Sequence, residues 1–184
     1  MNAPGEWERQ GECVLSDDRI AALERRLRVL EDEADIRSVL VAYGFGVDSG
    51  DAAGTAALYS TDSRTVIDSS VIIDGARGIH EMVLGTEHQA ILPGCAHVMG
   101  PFDVEVVGDT ARAIGYATTF TRDEGEISVW RQSVNRWHLV RDSDTWIISQ
   151  RESRNLSDPS AADLLRLGLP PVALRPPEND IEER

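Results

Sequence analysis

The chain has 184 residues and a mass of 20.2 kDa, which suits one domain of ordinary size. Hydrophobic residues make up 41% of the sequence and charged residues 27%, a balance typical of a globular protein rather than a disordered or membrane-embedded one. The formal net charge is −14, which argues against nucleic acid as a partner because its phosphates would be repelled. All 18 basic residues are arginine, so chemistry that needs a lysine amine is excluded.

Cysteine content and hydropathy indicate the compartment. Cys13 and Cys95 are the only cysteines, and two widely separated cysteines do not make a disulfide framework. The first residues have neither a basic start nor an apolar core, so no secretory signal is predicted. The longest apolar run, 39–45, is far shorter than the roughly 20 residues of a membrane span. We therefore expect a soluble, cytoplasmic protein with no membrane contact.

Composition divides the chain into three segments. Residues 1–15 show no hydrophobic periodicity and are predicted to form a flexible lead-in. Residues 16–155 carry the helical and strand patterns and are predicted to form a single α+β barrel domain. Residues 156–184 are rich in proline and are predicted to form a tail that wraps across a surface or stays mobile.

The first half of the predicted domain has helical periodicity. An apolar stripe runs from Ile20 to Leu30 and resumes from Ile36 to Tyr43, which predicts either two helices in series or one helix with a shifted stripe. Short strands are expected on both sides of the turn at 68–70. The helical regions are predicted over residues 16–50, 52–59 and 75–92.

The second half alternates with the period of strands. Each pair of neighbouring segments is separated by a short polar turn, which indicates hairpins and a largely antiparallel sheet. Helices followed by such a meander predict an α+β fold, with helices packed on one face of a curved sheet to form a cone with a pocket inside. The four strands are predicted over residues 96–107, 110–122, 127–141 and 144–155.

Two of the four histidines are predicted to be exposed to solvent, and a third, His138, is predicted to be structural. His80 and His88 are eight residues apart in the predicted helix, too far to share one metal ion, and we expect both to be exposed to solvent. His138 lies in a predicted strand with its face undecided. We therefore predict no metal site and no cofactor.

His97 differs because it opens the first strand of the meander. If that strand lines the cone, its imidazole enters an apolar cavity formed with Met99, Phe102 and the helix around Tyr43. Asp48, at the end of the long helix, is the best candidate for a carboxylate that orients this ring and raises its basicity. The alternative is that Asp48 caps the following turn and His97 is a satisfied core histidine.

Several features of the chain resemble the nuclear transport factor 2-like superfamily, specifically its SnoaL-like branch near scytalone dehydratase. Bile-acid 7α-dehydratase and hexachlorocyclohexane dehydrochlorinase are other members of that branch. The resemblance extends over about residues 30–155. It rests on the acidic helix segment 30–36, Tyr43 followed five residues later by Asp48, the pair Gly50-Asp51, His97 at a strand start, and the final strand segment 144–148.

This resemblance implies roles for particular residues. Asp48 and His97 correspond to the catalytic dyad of those relatives, and Tyr43 to a residue that faces the substrate as tyrosine or lysine. Arg151 follows Trp146 by five residues, as does the arginine that helps the leaving group in the dehydrochlorinase. The alternatives are that Tyr43 belongs to the core and that Arg151 forms a structural ion pair.

The chain also departs from scytalone dehydratase. The second active-site histidine expected on the next strand is missing from residues 110–122, where Tyr116 or Arg122 could replace it. Further candidate substrate contacts are Arg151, Tyr116, Trp130, Phe102 and Met99, although the tryptophans also suit packing of the sheet.

The resemblance implies a cofactor-independent lyase or isomerase that abstracts a carbon-bound proton with His97 and Asp48. Dehydratase-type elimination on a small apolar or aromatic substrate, such as a polycyclic, polyketide or steroid-like compound, is the leading expectation. The alternatives are a polyketide cyclase or ketosteroid-isomerase-type enzyme, or a non-catalytic ligand-binding or structural subunit of the same fold. A homo-oligomer, trimer or dimer, is expected through the open sheet face or the stripe that runs from Ile20 to Leu30.

Overall fold

The computed structural model describes residues 17–169. Cys13, the predicted lead-in and the end of the predicted tail lie outside these residues. The elements in chain order are α1 (Asp17–Ser49), α2 (Ala52–Ala57), β1 (Tyr59–Ile67), β2 (Val71–Asp74), α3 (Gly75–Leu84), α4 (Thr86–Gln89), β3 (Ala96–Val107), β4 (Thr110–Asp123), β5 (Glu126–Asp142), β6 (Thr145–Asn155) and α5 (Ala161–Leu167).

The six strands form one curved, open sheet in the order β2-β1-β6-β5-β4-β3. All neighbouring strands are antiparallel except β1 and β6, which run parallel. Helices α1 and α3 pack on the sheet, and the most extensive contact of α1 with a strand is with β3. The predicted α+β architecture is confirmed. No helix within residues 17–169 is long and apolar enough to cross a membrane.

Helix α1 is one continuous helix of 33 residues. The second part of its stripe, which includes Ile36, Leu40 and Val47, is buried in the main core. The first part does not reach the sheet, so Leu27 and Leu30 remain 55% and 62% exposed. One helix therefore has a core-forming half and an unpartnered half, which explains the shifted stripe in the sequence.

The four long strands begin and end within one residue of their predicted bounds. The segment 52–59 differs, because the helix ends at Ala57 and Tyr59 opens β1. The segment 75–92 also differs: Gly85 has an extended backbone and divides it into α3 and α4. Helix α5 lies in the predicted tail and packs on the outer face of the sheet, where Leu164 joins a small apolar cluster.

A bulge in β3 sets which side chains face α1. The pairing of β3 with β4 shifts between Met99 and Phe102, so both side chains point to the inner face although they are three residues apart. The Phe102 ring packs on Gly115, where an added Cβ would lie 2.4 Å from the ring. His97 lies two residues before Met99, in the regular part of the strand before the bulge. The two side chains therefore point to the same inner face.

Candidate active site

Asp48 and His97 form a hydrogen-bonded pair between the last turn of α1 and the start of β3. His97 Nδ1 lies 2.6 Å from Asp48 Oδ1, and the backbone N–H of His97 donates to Asp48 Oδ2 at 2.7 Å. The two side chains are only 13% and 21% exposed. An ionised carboxylate accepts, so Nδ1 carries the ring proton and Nε2 is left as the basic nitrogen.

Gly44 permits this close approach of helix and strand. A Cβ at this position would lie 2.9 Å from the His97 carbonyl oxygen and 3.0 Å from Met99 Cγ. Because glycine has none, α1 packs directly on the β3 backbone one turn before Asp48. The pair therefore depends on a backbone contact as well as on its own hydrogen bonds.

The electrostatic environment favours a neutral imidazole. Burial of the His97 ring lowers its pKa below the ordinary value of 6.5, although the Asp48 carboxylate opposes this effect. His97 is therefore unprotonated near pH 7. Within residues 17–169, Nε2 has no hydrogen-bond partner, so it is available to take a proton from a bound molecule.

Two residues near the pair are not predicted by the sequence as site residues. Cys95 Sγ donates to Asp48 Oδ1 at 3.3 Å, and burial raises the pKa of this thiol to about 11, which keeps it protonated. His88, predicted to be exposed, is instead half-buried: its Nε2 lies 2.8 Å from the Val47 carbonyl oxygen and its ring centroid 6.3 Å from that of His97. That prediction is wrong because the break at Gly85 turns α4 back towards the end of α1.

A second polar group lies on the inner face of β6. Arg151 donates from Nη1 to the Tyr43 hydroxyl at 2.5 Å, and its Nε and Nη2 both donate to Asn135 Oδ1. Its guanidinium carbon is 4.6 Å from the Tyr43 ring centroid and 4.5 Å from that of Trp137. Asn135 is not among the site residues predicted from the sequence. Its position two residues before Trp137 in the same strand shows only that the two side chains share a face.

Arg151 is buried without a carboxylate partner. Its exposed fraction is 8%, and among residues 17–169 it forms no salt bridge. The alternative of a structural ion pair is therefore wrong. Cation–π contacts and neutral hydrogen-bond acceptors stabilise its charge instead.

The inner face is more polar than the predicted apolar cavity. Met99 and Phe102 do lie there, packed against the main core. Buried polar residues continue the same face across the sheet, and within residues 17–169 the Tyr59 hydroxyl and the Thr65 hydroxyl are buried without a hydrogen-bond partner. These polar residues are Thr65, Thr119, Ser133, Asn135 and Ser153.

The structure does not bring the other candidates to this site. Tyr116 is 44% exposed on the outer face, because alternation along β4 turns its neighbours Gly115 and Ala117 inward. Trp130 occupies the bulge between β4 and β5 and is 59% exposed. Arg122 donates to the Gly125 carbonyl oxygen in its own hairpin.

The remaining histidines also lie away from the Asp48–His97 pair. His80 is half-buried on α3 rather than exposed. His138 lies on the outer face of β5, opposite the inward-facing Trp137, and burial lowers its pKa.

Comparison with known proteins gives a family match and several similar folds. The sequence profile of the SnoaL-like domain matches residues 28–152, and comparison with curated proteins finds no match. An NTF2-like protein with a cystatin-like fold from Novosphingobium aromaticivorans is 35% identical with a TM-score of 0.77, over 82% of this chain and 99% of that one.

Two solved structures at lower identity share the fold. A candidate scytalone dehydratase from Novosphingobium aromaticivorans is 16% identical with a TM-score of 0.61, over 68% of this chain and 85% of that one. A hexachlorocyclohexane dehydrochlorinase from Novosphingobium barchaimii is 17% identical with a TM-score of 0.62, over 71% and 90%.

Proposed function

The chain belongs to the SnoaL-like domain family, and from that premise we propose that it is a cofactor-independent lyase that eliminates water from a small β-hydroxy carbonyl compound. The observation that carries the proposal is the 2.6 Å contact between His97 Nδ1 and Asp48 Oδ1, which leaves Nε2 free as a base. The sequence resemblance predicted the same two residues. A structural neighbour named as a dehydrochlorinase supports elimination as the reaction type.

His97 Nε2 is the proposed general base. It takes a proton from the carbon next to the substrate carbonyl, and the resulting imidazolium is stabilised by Asp48 through Nδ1–H. Because the pKa of His97 is below 6.5, the base form predominates at neutral pH. A well-placed base of this kind contributes roughly 10²–10⁴-fold to the rate.

Tyr43 and Arg151 are the proposed stabilisers of the carbonyl oxygen. The Tyr43 hydroxyl accepts a hydrogen bond from Arg151, so its own proton remains free to donate to the substrate. Negative charge develops on the carbonyl oxygen as the carbon loses its proton, and the adjacent guanidinium favours that charge. The polar inner face suits a substrate that carries several oxygens.

The second half of the reaction releases the hydroxyl group. The enolate electrons form the carbon–carbon double bond as the β-carbon–oxygen bond breaks, and the His97 imidazolium returns its proton to the departing oxygen. The products are an α,β-unsaturated carbonyl compound and water, and the enzyme regains its starting protonation state.

The test uses a bicyclic β-hydroxy ketone whose loss of water gives a naphthol, followed by ultraviolet absorbance. We expect turnover by the full chain and a loss of about 10²–10⁴-fold in kcat for His97→Gln, because glutamine keeps a polar side chain but is not a base. His138→Gln is the matched control, since this histidine lies on the outer face of the sheet and should leave kcat unchanged.

Exchange of the substrate's α-hydrogen in D₂O, measured by NMR, separates proton abstraction from complete elimination. Exchange without naphthol formation would overturn elimination and favour an isomerase or cyclase that uses the same base. Binding of the ketone without either reaction, or full activity of His97→Gln, would overturn the proposal and favour a ligand-binding member of the family.

A further inference from the structure

Three side chains with metal-binding atoms converge where α1 ends and β3 begins. Asp48 Oδ1, Cys95 Sγ and His97 Nδ1 all lie within 4.8 Å of one another. Asp48 Oδ1 is the common acceptor, at 2.6 Å from Nδ1 and 3.3 Å from Sγ. Two hydrogens therefore point at one carboxylate oxygen. All three side chains present an atom that can bind a metal ion to the same small volume.

The donor set and its spacing suit zinc. Thiolate, imidazole and carboxylate are the three ligand types that Zn²⁺ takes in proteins, with bonds of roughly 2.0–2.3 Å that place tetrahedral donors roughly 3.3–3.6 Å apart. The Sγ–Oδ1 separation of 3.3 Å already has this spacing, and the Nδ1–Oδ1 separation of 2.6 Å must widen by less than ~1 Å. Sulfur in the set disfavours Mg²⁺ and Ca²⁺.

The surroundings hold the carboxylate while leaving access from solvent. The backbone N–H of His97 binds Oδ2 at 2.7 Å, which orients Oδ1 towards the other two donors as outer-shell hydrogen bonds do in metal sites. The Asp48 and His97 side chains are 21% and 13% exposed, and Cys95 is half-buried. A hydrated ion can therefore reach the cluster and keep a water as its fourth ligand.

We propose that Asp48, Cys95 and His97 bind a thiophilic divalent cation, Zn²⁺ in the first place, in a tetrahedral site with its fourth position open to solvent. On binding, the metal forms bonds to Sγ, Nδ1 and Oδ1. The Cys95 thiol proton is released to solvent, and the imidazole proton moves from Nδ1 to Nε2. The ion, thiolate and carboxylate together are electrically neutral.

One consequence rests on the proposed function. Metal at Nδ1 leaves Nε2 protonated, and a protonated Nε2 cannot abstract a proton from carbon. The metal-bound and catalytic states are then mutually exclusive, so Zn²⁺ acts as a reversible inhibitor that a chelator relieves.

The test titrates the full, metal-free chain with Co²⁺ and follows the sulfur-to-cobalt charge-transfer absorbance, with Zn²⁺ as the competitor. We expect saturation at one ion per chain, visible bands of tetrahedral intensity, and displacement by Zn²⁺. Cys95→Ser keeps the size and the hydrogen bond to Asp48, and should abolish the charge-transfer band and weaken binding by more than tenfold. Cys13→Ser is the matched thiol control and should bind as the unaltered chain does.

The outcomes separate this proposal from the enzymatic one. No saturable binding, or binding that Cys95→Ser leaves unchanged, overturns the metal site whatever the activity. Binding lost in Cys13→Ser assigns the ion to another site and overturns it as well. Binding as expected in a chain that turns over no ketone leaves the metal site standing and counts only against the proposed reaction.

Discussion

Asp48 accepts three hydrogen bonds, two of them from His97 and one from Cys95. A hydrogen bond to a charged group contributes roughly 1.5–3 kcal/mol, so this carboxylate is held firmly in one orientation. The arrangement also selects the tautomer of His97. An amide at position 48 could donate to Nδ1 and would then reverse the positions of the basic and the protonated nitrogen.

The imidazole of His97 should titrate below its ordinary pKa of 6.5, because burial of the ring disfavours the charged form. Asp48→Asn removes the carboxylate that opposes this effect, so the pKa of His97 should fall further. Activity should accordingly decline as pH decreases through this pKa, since only the neutral ring acts as a base. NMR of the imidazole nitrogens across the acid-to-neutral range measures the pKa of His97 in the unaltered chain and in Asp48→Asn.

His138 provides the internal reference for that titration. Its pKa is also lowered by burial, but Asp48 is not among its neighbours. Its titration should therefore be the same in the unaltered chain and in Asp48→Asn. A His97 pKa above 6.5, or one that rises in the variant, would contradict the assignment of the two effects.

Sequence patterns could locate His97 and Asp48 but not everything that contacts them. The helical stripe and the strand alternation placed Asp48 at a helix end and His97 on a strand, and the resemblance paired them. Cys95 and His88 reach the pair through loop and turn geometry, which hydrophobic periodicity does not record. Arg151 faces Tyr43 across the core, from a different element. The residue pattern within a single strand could not show that Arg151 has no acidic partner.

At the level of elements, the contact between α1 and β3 at Gly44 controls the geometry of the pair. Gly44→Ala should destabilise the fold by about 1–3 kcal/mol, because the new Cβ would lie 2.9 Å from the His97 carbonyl oxygen. This loss opposes the gain of roughly 1 kcal/mol that alanine brings to a helix interior. Chemical denaturation measures the free energy of unfolding, and kcat should fall as α1 moves away from β3.

Gly168→Ala is the control for that substitution. Gly168 follows α5 with a right-handed backbone, and an added Cβ would meet its neighbours at an ordinary 3.6 Å. The free energy of unfolding of the Gly168→Ala variant should differ from that of the unaltered chain by less than about 1 kcal/mol. Equal destabilisation by Gly44→Ala and Gly168→Ala would contradict the claim that the α1–β3 contact specifically requires glycine at position 44.

The elements themselves were more predictable than the contacts between them. Strands β3 to β6 alternate cleanly because one of their faces is buried, so their bounds were evident. Strand β1 was less evident because residues 60–64 are polar and the strand begins only two residues after the end of α2. Helix α5 was hidden by the surrounding prolines, and it forms because Ala161 and Leu164 find an apolar cluster on the outer face.

On the scale of the whole molecule, the outer sheet face beyond α5 remains apolar and open. Val98 is 54% exposed, Tyr116 44% and Val129 52%. We expect a trimer or dimer assembled through this patch, because exposed apolar patches beside a covered core favour association. The double variant Val98→Arg with Tyr116→Arg places repelling charges there and should yield a monomer in light scattering coupled to size exclusion.

The exposed stripe of α1 is the alternative surface and supplies the comparison. The double variant Leu23→Arg with Leu27→Arg changes residues that are 51% and 55% exposed, and it should leave the oligomer intact. A monomeric unaltered chain, or dissociation caused only by the α1 variant, would contradict assembly through the sheet.

The continuity of α1 has a mechanical consequence. With about 1.5 Å of rise per residue, a helix of 33 residues is a rod of roughly 50 Å. Its exposed half and the Asp48 carboxylate lie on the same rod with no hinge between them. A neighbouring molecule or surface that docks near Leu23 therefore binds the same rigid helix that carries Asp48, while Ile36, Leu40 and Val47 anchor that helix in the core.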